Sequence, residues 1–227
     1  MTKKLKNTLG VILTVLLCVT MFLGCRATPP DLWKQYIEKG GKIFNDLRYK
    51  NDGATVRIIR YEGKGGTVTI PAVIDEMPVT DIGIYSFRET KLTGITIPNG
   101  VISIERGAFW GNKLTKVIIP DSVLSISSRA FWANQLSFIS ISKNMTRIEC
   151  YSFEHNKLVS INIPENITSI DGTAFGYNPL TSITIGANVI LKTYSFDNGF
   201  ENIYNTGGKL AGTYTREDVT SSDWTMQ

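Results

Sequence analysis

Residues 112–133 read NKLTKVIIPDSVLSISSRAFWA, and the same arrangement returns every 22 residues on either side. Phe87, Phe109, Phe131, Phe153 and Phe175 hold that step, and Phe196 follows after 21. Leu92, Leu114, Leu136, Leu158 and Leu180 keep it, as do Ile97, Ile119, Ile141, Ile163 and Ile185. A fixed period of this length marks a repeat architecture, in which each unit is one supersecondary element that cannot bury its apolar face alone.

Within the unit, each part has a physical task. From Leu114 through Val117 to Ile119 the apolar residues face one way, which predicts a short strand with one side turned inward. Pro120 stops that strand because proline cannot donate to a ladder, and Pro98 and Pro164 stand at the same place in other units. Val123, Ile126, Ala130 and Phe131 supply a return limb, whose spacing suits a second strand or a tight helical turn. Asn112, Asn134, Asn156 and Asn178 precede the strands, where an amide bonds backbone groups of the turn in its own or the neighbouring unit. One unit buries too little apolar surface to offset the ordering of its backbone, so stacking must supply the difference. Neighbouring strands then pair about 4.8 Å apart and the interiors merge. The expected fold is a repeat solenoid, β-rich, with short parallel strands, one per 22-residue repeat, and terminal caps.

The unit resembles the BspA-like, or treponemal-type, leucine-rich repeat of bacterial surface proteins, whose pattern runs Leu-x-x-Ile-x-Ile-Pro, then Val-x-x-Ile, then Ala-Phe. The likeness spans 68–196, beginning in the entry segment GTVTIPAVIDEMPVTDIGIYSF. Ser142 and Gly186 replace the usual proline, and Ser86, Ser152 and Ser195 the usual alanine. The turn cysteine common in the family is missing, its slot holding Arg88, Trp110, Trp132, Glu154 and Gly176. The resemblance implies a curved solenoid displayed at a bacterial surface, associated with adhesion to host proteins and contact between bacteria. No catalytic activity travels with the repeat.

The chain opens MTKKLKNTLGVILTVLLCVTMFLGC, with Lys3, Lys4 and Lys6 ahead of an uncharged apolar stretch. That is the layout of a bacterial export signal over 1–24, and the stretch is shorter than the roughly 20 residues a membrane span needs. Gly24-Cys25 resembles a lipobox, which implies cleavage before Cys25 and a diacylglycerol on its sulfur. Phe22 and Leu23 depart from the usual residues there, so ordinary secretion or an uncleaved anchor stays open. Each alternative puts the folded part outside the cytoplasm. Without the leader the formal charge falls from +4 to +1, because three lysines leave and no acid does. The remainder has no dense basic stripe, which argues against a nucleic-acid partner. Cys18 lies in the leader and Cys25 is the proposed anchor. Cys150 is read as a lone small residue packed within a repeat, so no disulfide framework is expected.

Open stacks need caps. An N-terminal linker and cap over 25–67 holds a possible short helix about Leu32, Trp33, Tyr36 and Ile37. The strand-like ATVRIIRY follows a turn at Asn51-Asp52-Gly53. The solenoid occupies 68–196 and a C-terminal cap 197–227. In the latter, IYNTGGKLAGTYTRE reads as a hairpin about Gly207-Gly208, Tyr204 and Tyr214 cover the last repeat, and TSSDWTMQ is a loose tail.

Little in the sequence suggests chemistry. His155 is the only histidine, and it sits in the variable slot that holds Gly111, Ala133 and Tyr177 elsewhere, with no partner for a triad or a zinc motif. Gly63, Gly65 and Gly66 lack the rest of a phosphate loop. Asp75 and Glu76 are adjacent, which in a strand points their side chains apart, whereas glycosidase carboxylates face one another. No metal, cofactor or enzymatic activity is expected.

Variable positions carry more information. Two rows on the outward side of the strands, Thr93, Thr115, Ser137, Val159, Thr181 and Thr96, Ile118, Ser140, Asn162, Thr184, are small, hydroxylated and nearly uncharged. Ile118 and Phe138 interrupt them with apolar bulk. Trp110 and Trp132 share a slot in adjacent units, so stacking sets them together along one rim, as contacts for a ligand or as packing over the turns. The expected function is therefore a non-enzymatic cell-surface binding module for protein or extracellular-matrix ligands, held to the membrane by a lipid anchor. The alternative is a structural envelope protein that self-associates, with glycan binding less favoured.

Overall fold

A computed structural model describes residues 34, 35, 38–197 and 199–227, all within the unit Lys34–Gln227. The leader, Cys25 and the helix expected about Leu32, Trp33, Tyr36 and Ile37 lie outside the described residues.

The N-terminal part is an antiparallel meander of β1 (Lys42–Phe44), β2 (Leu47–Asn51) and β3 (Val56–Tyr61). Asn45 and Asp46, both at positive φ, form the two-residue turn between β1 and β2, the backbone sense that matches strand twist. At the next turn Asp52 accepts from the backbone N–H of Ala54 and Thr55 at 2.9 and 2.8 Å. The strand predicted in ATVRIIRY is β3. A second hairpin joins β5 (Val73–Ile74) to β6 (Met77–Ile82) through Asp75 and Glu76, also at positive φ. That pair is thus a turn, not strand residues facing opposite ways. Asp75 accepts from Lys42 at 2.7 Å and from the Tyr49 hydroxyl at 2.6 Å, tying the two hairpins together.

Each repeat then contributes the expected strand and adds a shorter one. The first series is β4 (Gly66–Thr69), β7 (Leu92–Thr96), β9 (Lys116–Ile118), β11 (Phe138–Ser140), β13 (Ser160–Asn162) and β15 (Ser182–Ile185). Parallel pairing joins β4 to β7, β9 to β11 and β13 to β15. Between those pairs, the N–H of Lys113 and of Lys157 donate to the carbonyls of Leu92 and Leu136 at 2.8 and 2.9 Å. The return limb takes the strand alternative. It forms β8 (Ser103–Ile104), β10 (Ser125–Ile126), β12 (Arg147–Ile148), β14 (Ser169–Ile170) and β16 (Ile190–Leu191), paired in parallel as β3-β6-β8-β10 and β12-β14-β16. The prolines sit just past the first strands, and the carbonyls of Pro120 and Pro164 accept from Val123 and Ile167 at 3.0 Å to open the turn into the return limb.

Between the two strand series runs the core. Phe87, Phe109, Phe131, Phe153, Phe175 and Phe196 are all buried and stack face on face with centroids 5.1–5.7 Å apart. Tyr61 begins the column at 5.5 Å from Phe87, and Phe200 ends it edge-on at 5.0 Å from Phe196. The departures from the repeat pattern are compensated. Ser142, buried at a proline slot, donates to the Val123 carbonyl at 2.6 Å, and Ser195, in an alanine slot, donates to the Ile170 carbonyl at 3.0 Å.

The C-terminal cap corrects two expectations. Ile203–Thr206 is not the first arm of a hairpin but the end of helix α1 (Phe200–Thr206), which Gly199 opens with φ 75 and Gly207 closes by donating to the Ile203 carbonyl at 2.9 Å. Phe200 and Tyr204 sit four residues apart and are both buried, a helical period that overrides the strand-like composition. The Tyr204 hydroxyl donates to the Gly186 carbonyl at 2.6 Å and accepts from the Val189 N–H at 3.0 Å. Nor is the tail loose. β17 (Gly212–Thr215) pairs antiparallel with β15, and β18 (Thr225–Met226) pairs with β17. Trp224 anchors this end, buried 5.2 Å from the Phe200 ring with the Arg216 guanidinium 4.8 Å from its own.

Cys150 is half-buried in the turn after β12, its sulfur 3.5 Å from the Ser128 hydroxyl of the preceding repeat.

Candidate binding surfaces

Three surfaces rise from the regularity of the repeat. The corner between the spine and the first strand is held by the asparagines. Asn134 accepts from the Leu114 N–H at 3.2 Å while its amide donates to the carbonyls of Phe109 and Phe131 at 2.9 and 3.2 Å. Asn112, Asn156 and Asn178 repeat the pattern, each bonding its own unit and the preceding one. Four buried amides thus fix the positions of every residue displayed beside them.

The outward strand face is the first surface. The strands alternate exposed, buried, exposed, so Lys116, Phe138 and Ser160 form one outward row and Ile118, Ser140 and Asn162 the other. This register brings in Lys116, which the row beginning at Thr93 and Thr115 passed over; Thr93 lies within β7, whereas Thr115, Ser137, Val159 and Thr181 each precede their strand by one residue. Ile118 and Phe138 are 57% and 48% exposed on paired strands. The Lys116 ammonium lies 5.0 Å from the Phe138 ring, within cation–π range.

A rim of rings is the second. Trp110 and Trp132 meet edge to face at 4.7 Å, and both are half-buried. The row extends further than the tryptophans. Tyr85 stands 5.9 Å from Trp110, and Trp132 stands 5.7 Å from His155, which stacks parallel on Tyr177 at 4.3 Å. Arg88 lies 4.3 Å above Trp110, and the Trp132 indole N–H donates to Glu154 at 2.6 Å. Burial pushes the Glu154 carboxyl up from its ordinary range, and the indole bond offsets part of that rise. His155, read from the sequence as an isolated solvent-facing residue, is exposed but belongs to this row. Its slot and that of Tyr177 have left-handed backbone, as do Gly111 and Ala133. A left-handed corner turns successive side chains onto one edge. The glycine at 111 was the sequence signal for that geometry.

The third surface is a groove of about 790 Å³ at the C-terminal end of the rim, bordered by Tyr177, Tyr194, Asp197, Glu201, Asn202 and Asn205. Sequence reasoning missed it because α1 forms one wall. Burial raises the Glu201 carboxyl above its ordinary range, opposed by the bond from the Phe196 N–H at 2.5 Å.

Nearby on the return limb, Asp171 is buried between Lys192, at 2.7 Å, and Arg147. Burial pushes its carboxyl up, but the bonds from Lys192 and Arg147 together outweigh that and hold it below the ordinary aspartate range. Among the described residues no group of three His, Cys, Asp or Glu side chains is arranged to hold a metal ion.

The repeat geometry has a known counterpart. A family model described as BspA type leucine-rich repeat region matches 80–202 in six copies. The chain belongs to that family. Among solved structures, the T. pallidum leucine-rich repeat protein TpLRR shares the fold with a TM-score of 0.51 at 18% identity, covering 74% of this chain and 96% of that one. The pneumococcal vaccine antigen PcpA follows with a TM-score of 0.50 at 17% identity over 66% of this chain. This chain spans about half of PcpA, 51% of its length. No curated protein matches it. At these identities the likeness is one of fold, and the surfaces that distinguish this BspA-type chain are its own.

Proposed function

We propose that this chain is a non-enzymatic binding module of a bacterial cell surface, exported by its 1–24 leader, anchored through a lipid on Cys25, and mediating adhesion to a protein or matrix ligand. The observation that carries this reading is the apolar pair Ile118 and Phe138, exposed on paired strands in a face otherwise small and hydroxylated. Exposed apolar bulk beside a cation, on a backbone fixed by both neighbours, is the composition of a protein contact. Trp110 and Trp132, on the rim, come ahead of these strands in the chain, Trp132 six residues before Phe138.

The test is binding of residues 26–227 to intact cells and to immobilised matrix proteins, comparing wild type with an Ile118→Ala/Phe138→Ala variant and a Trp110→Ala/Trp132→Ala variant. The strand-face variant should lose affinity about tenfold or more, near 1.4 kcal/mol, with little change in melting because both side chains are exposed. Attachment unchanged in both variants would remove this assignment, and concentration-dependent assembly of the fragment without attachment would favour the self-associating envelope protein instead.

A further inference from the structure

The row of rings does not end at the tryptophans. It runs through His155 to Tyr177, whose ring is covered on one side by the parallel imidazole and remains 65% exposed where it borders the groove. The same groove is bordered by Tyr194, 70% exposed, at a left-handed corner of the last turn. Two large rings left this open, both more exposed than Phe138 at 48%, are unusual on hydrophobic grounds. The remainder of the lining is mixed, with apolar Leu191 and Val219 and the cations Lys192 and Arg216. Asp197 and Glu201 bring carboxylates, and Asn202 and Asn205, one turn apart on α1, bring exposed amides.

From this arrangement we infer that the groove is a saccharide site, taking a neutral oligosaccharide with pyranose rings laid on Tyr177 and Tyr194. A pyranose has a flat C–H face that packs on an aromatic ring and an equator of hydroxyls that need acceptors and donors. Rings and carboxamide groups supply both. The two carboxylates are matched by Lys192 and Arg216, so the lining carries no net charge and offers no net attraction to an ionic sugar. The groove volume of about 790 Å³ is in the range of small-ligand clefts. Both tyrosines are held from behind. The Tyr177 backbone N–H donates to Asp197, and the Tyr194 carbonyl accepts from the Thr173 N–H at 2.7 Å, which fixes the backbone that carries each ring.

The experiment is calorimetric titration of the full chain with chitohexaose, cellohexaose and mannohexaose. Binding of at least one is expected, weakened about tenfold or more by Tyr177→Ala and by Tyr194→Ala. Tyr177→Phe, which keeps the ring, should retain most of the affinity, and thermal unfolding of each variant reports that it is folded. The Ile118→Ala/Phe138→Ala variant should bind sugar as wild type does, which separates failure of this site from failure of the strand face. Absence of binding to all three sugars, or binding that survives Tyr177→Ala, would overturn the inference.

Discussion

Asn134 shows how much one side chain does here. It satisfies an N–H and two carbonyls buried between adjacent units, and no other side chain of its size offers an acceptor and two donors in one plane. Asn134→Ala leaves the Leu114 N–H unpaired and takes one of two amide donors from each of the Phe109 and Phe131 carbonyls, which keep Asn112 and Asn156, so a loss of about 1–3 kcal/mol is expected in urea unfolding. Asn134→Asp should lose nearly as much, because a carboxylate accepts from Leu114 but cannot donate to Phe109 and Phe131. A loss under about 0.5 kcal/mol in both would mean that water replaces the amide. This role was legible in the sequence, because the amide recurs at one position ahead of each strand. Lys116 was harder to read. The alternation sets which residues face outward, but the strand begins at Lys116 rather than at Leu114, and that start depends on pairing with β11.

At the scale of elements, the first strand of each repeat was readable from alternating apolar residues and the proline that follows. The return limb was not, since Val123 and Ile126 are three apart and fit a helical turn as well as a strand. Pairing to the neighbouring repeats decides for the strand, and that is tertiary information. The C-terminal cap misled for a similar reason. Ile203 and Tyr204 favour strands by composition, yet Phe196 of the last repeat and Tyr214 of β17 are met by Phe200 and Tyr204, which a helix sets on one face. Trp224 completes this cover. Trp224→Ala should cost about 3–5 kcal/mol and release β18, seen as faster hydrogen exchange at Tyr214 and Thr215. Exchange and melting that match wild type would show that the tail is not part of the cap.

Taken as one molecule, the chain separates its tasks by position. Every 22 residues a phenylalanine, a leucine and an isoleucine extend one continuous core, and this spine was legible because periodicity needs no knowledge of contacts. The surfaces were legible only in part. Ile118, Phe138, Trp110 and Trp132 stood out as breaks in a pattern. The extension of the rim through His155 to Tyr177, and the groove beyond it, depends on left-handed corners and on a helix that joins the repeats only in three dimensions. In a stack of this kind, stability is a sum over units and the interfaces between them.

The central claim is that the phenylalanine column holds the repeats together as one cooperative unit, and Phe131, in the middle of it, tests this most directly. Phe131→Ala, followed by urea unfolding and native-state hydrogen exchange, should lose about 3–5 kcal/mol and weaken protection in the units of Phe109 and Phe153 as well as its own. Unchanged stability, or a loss of protection confined to the one repeat, would contradict it.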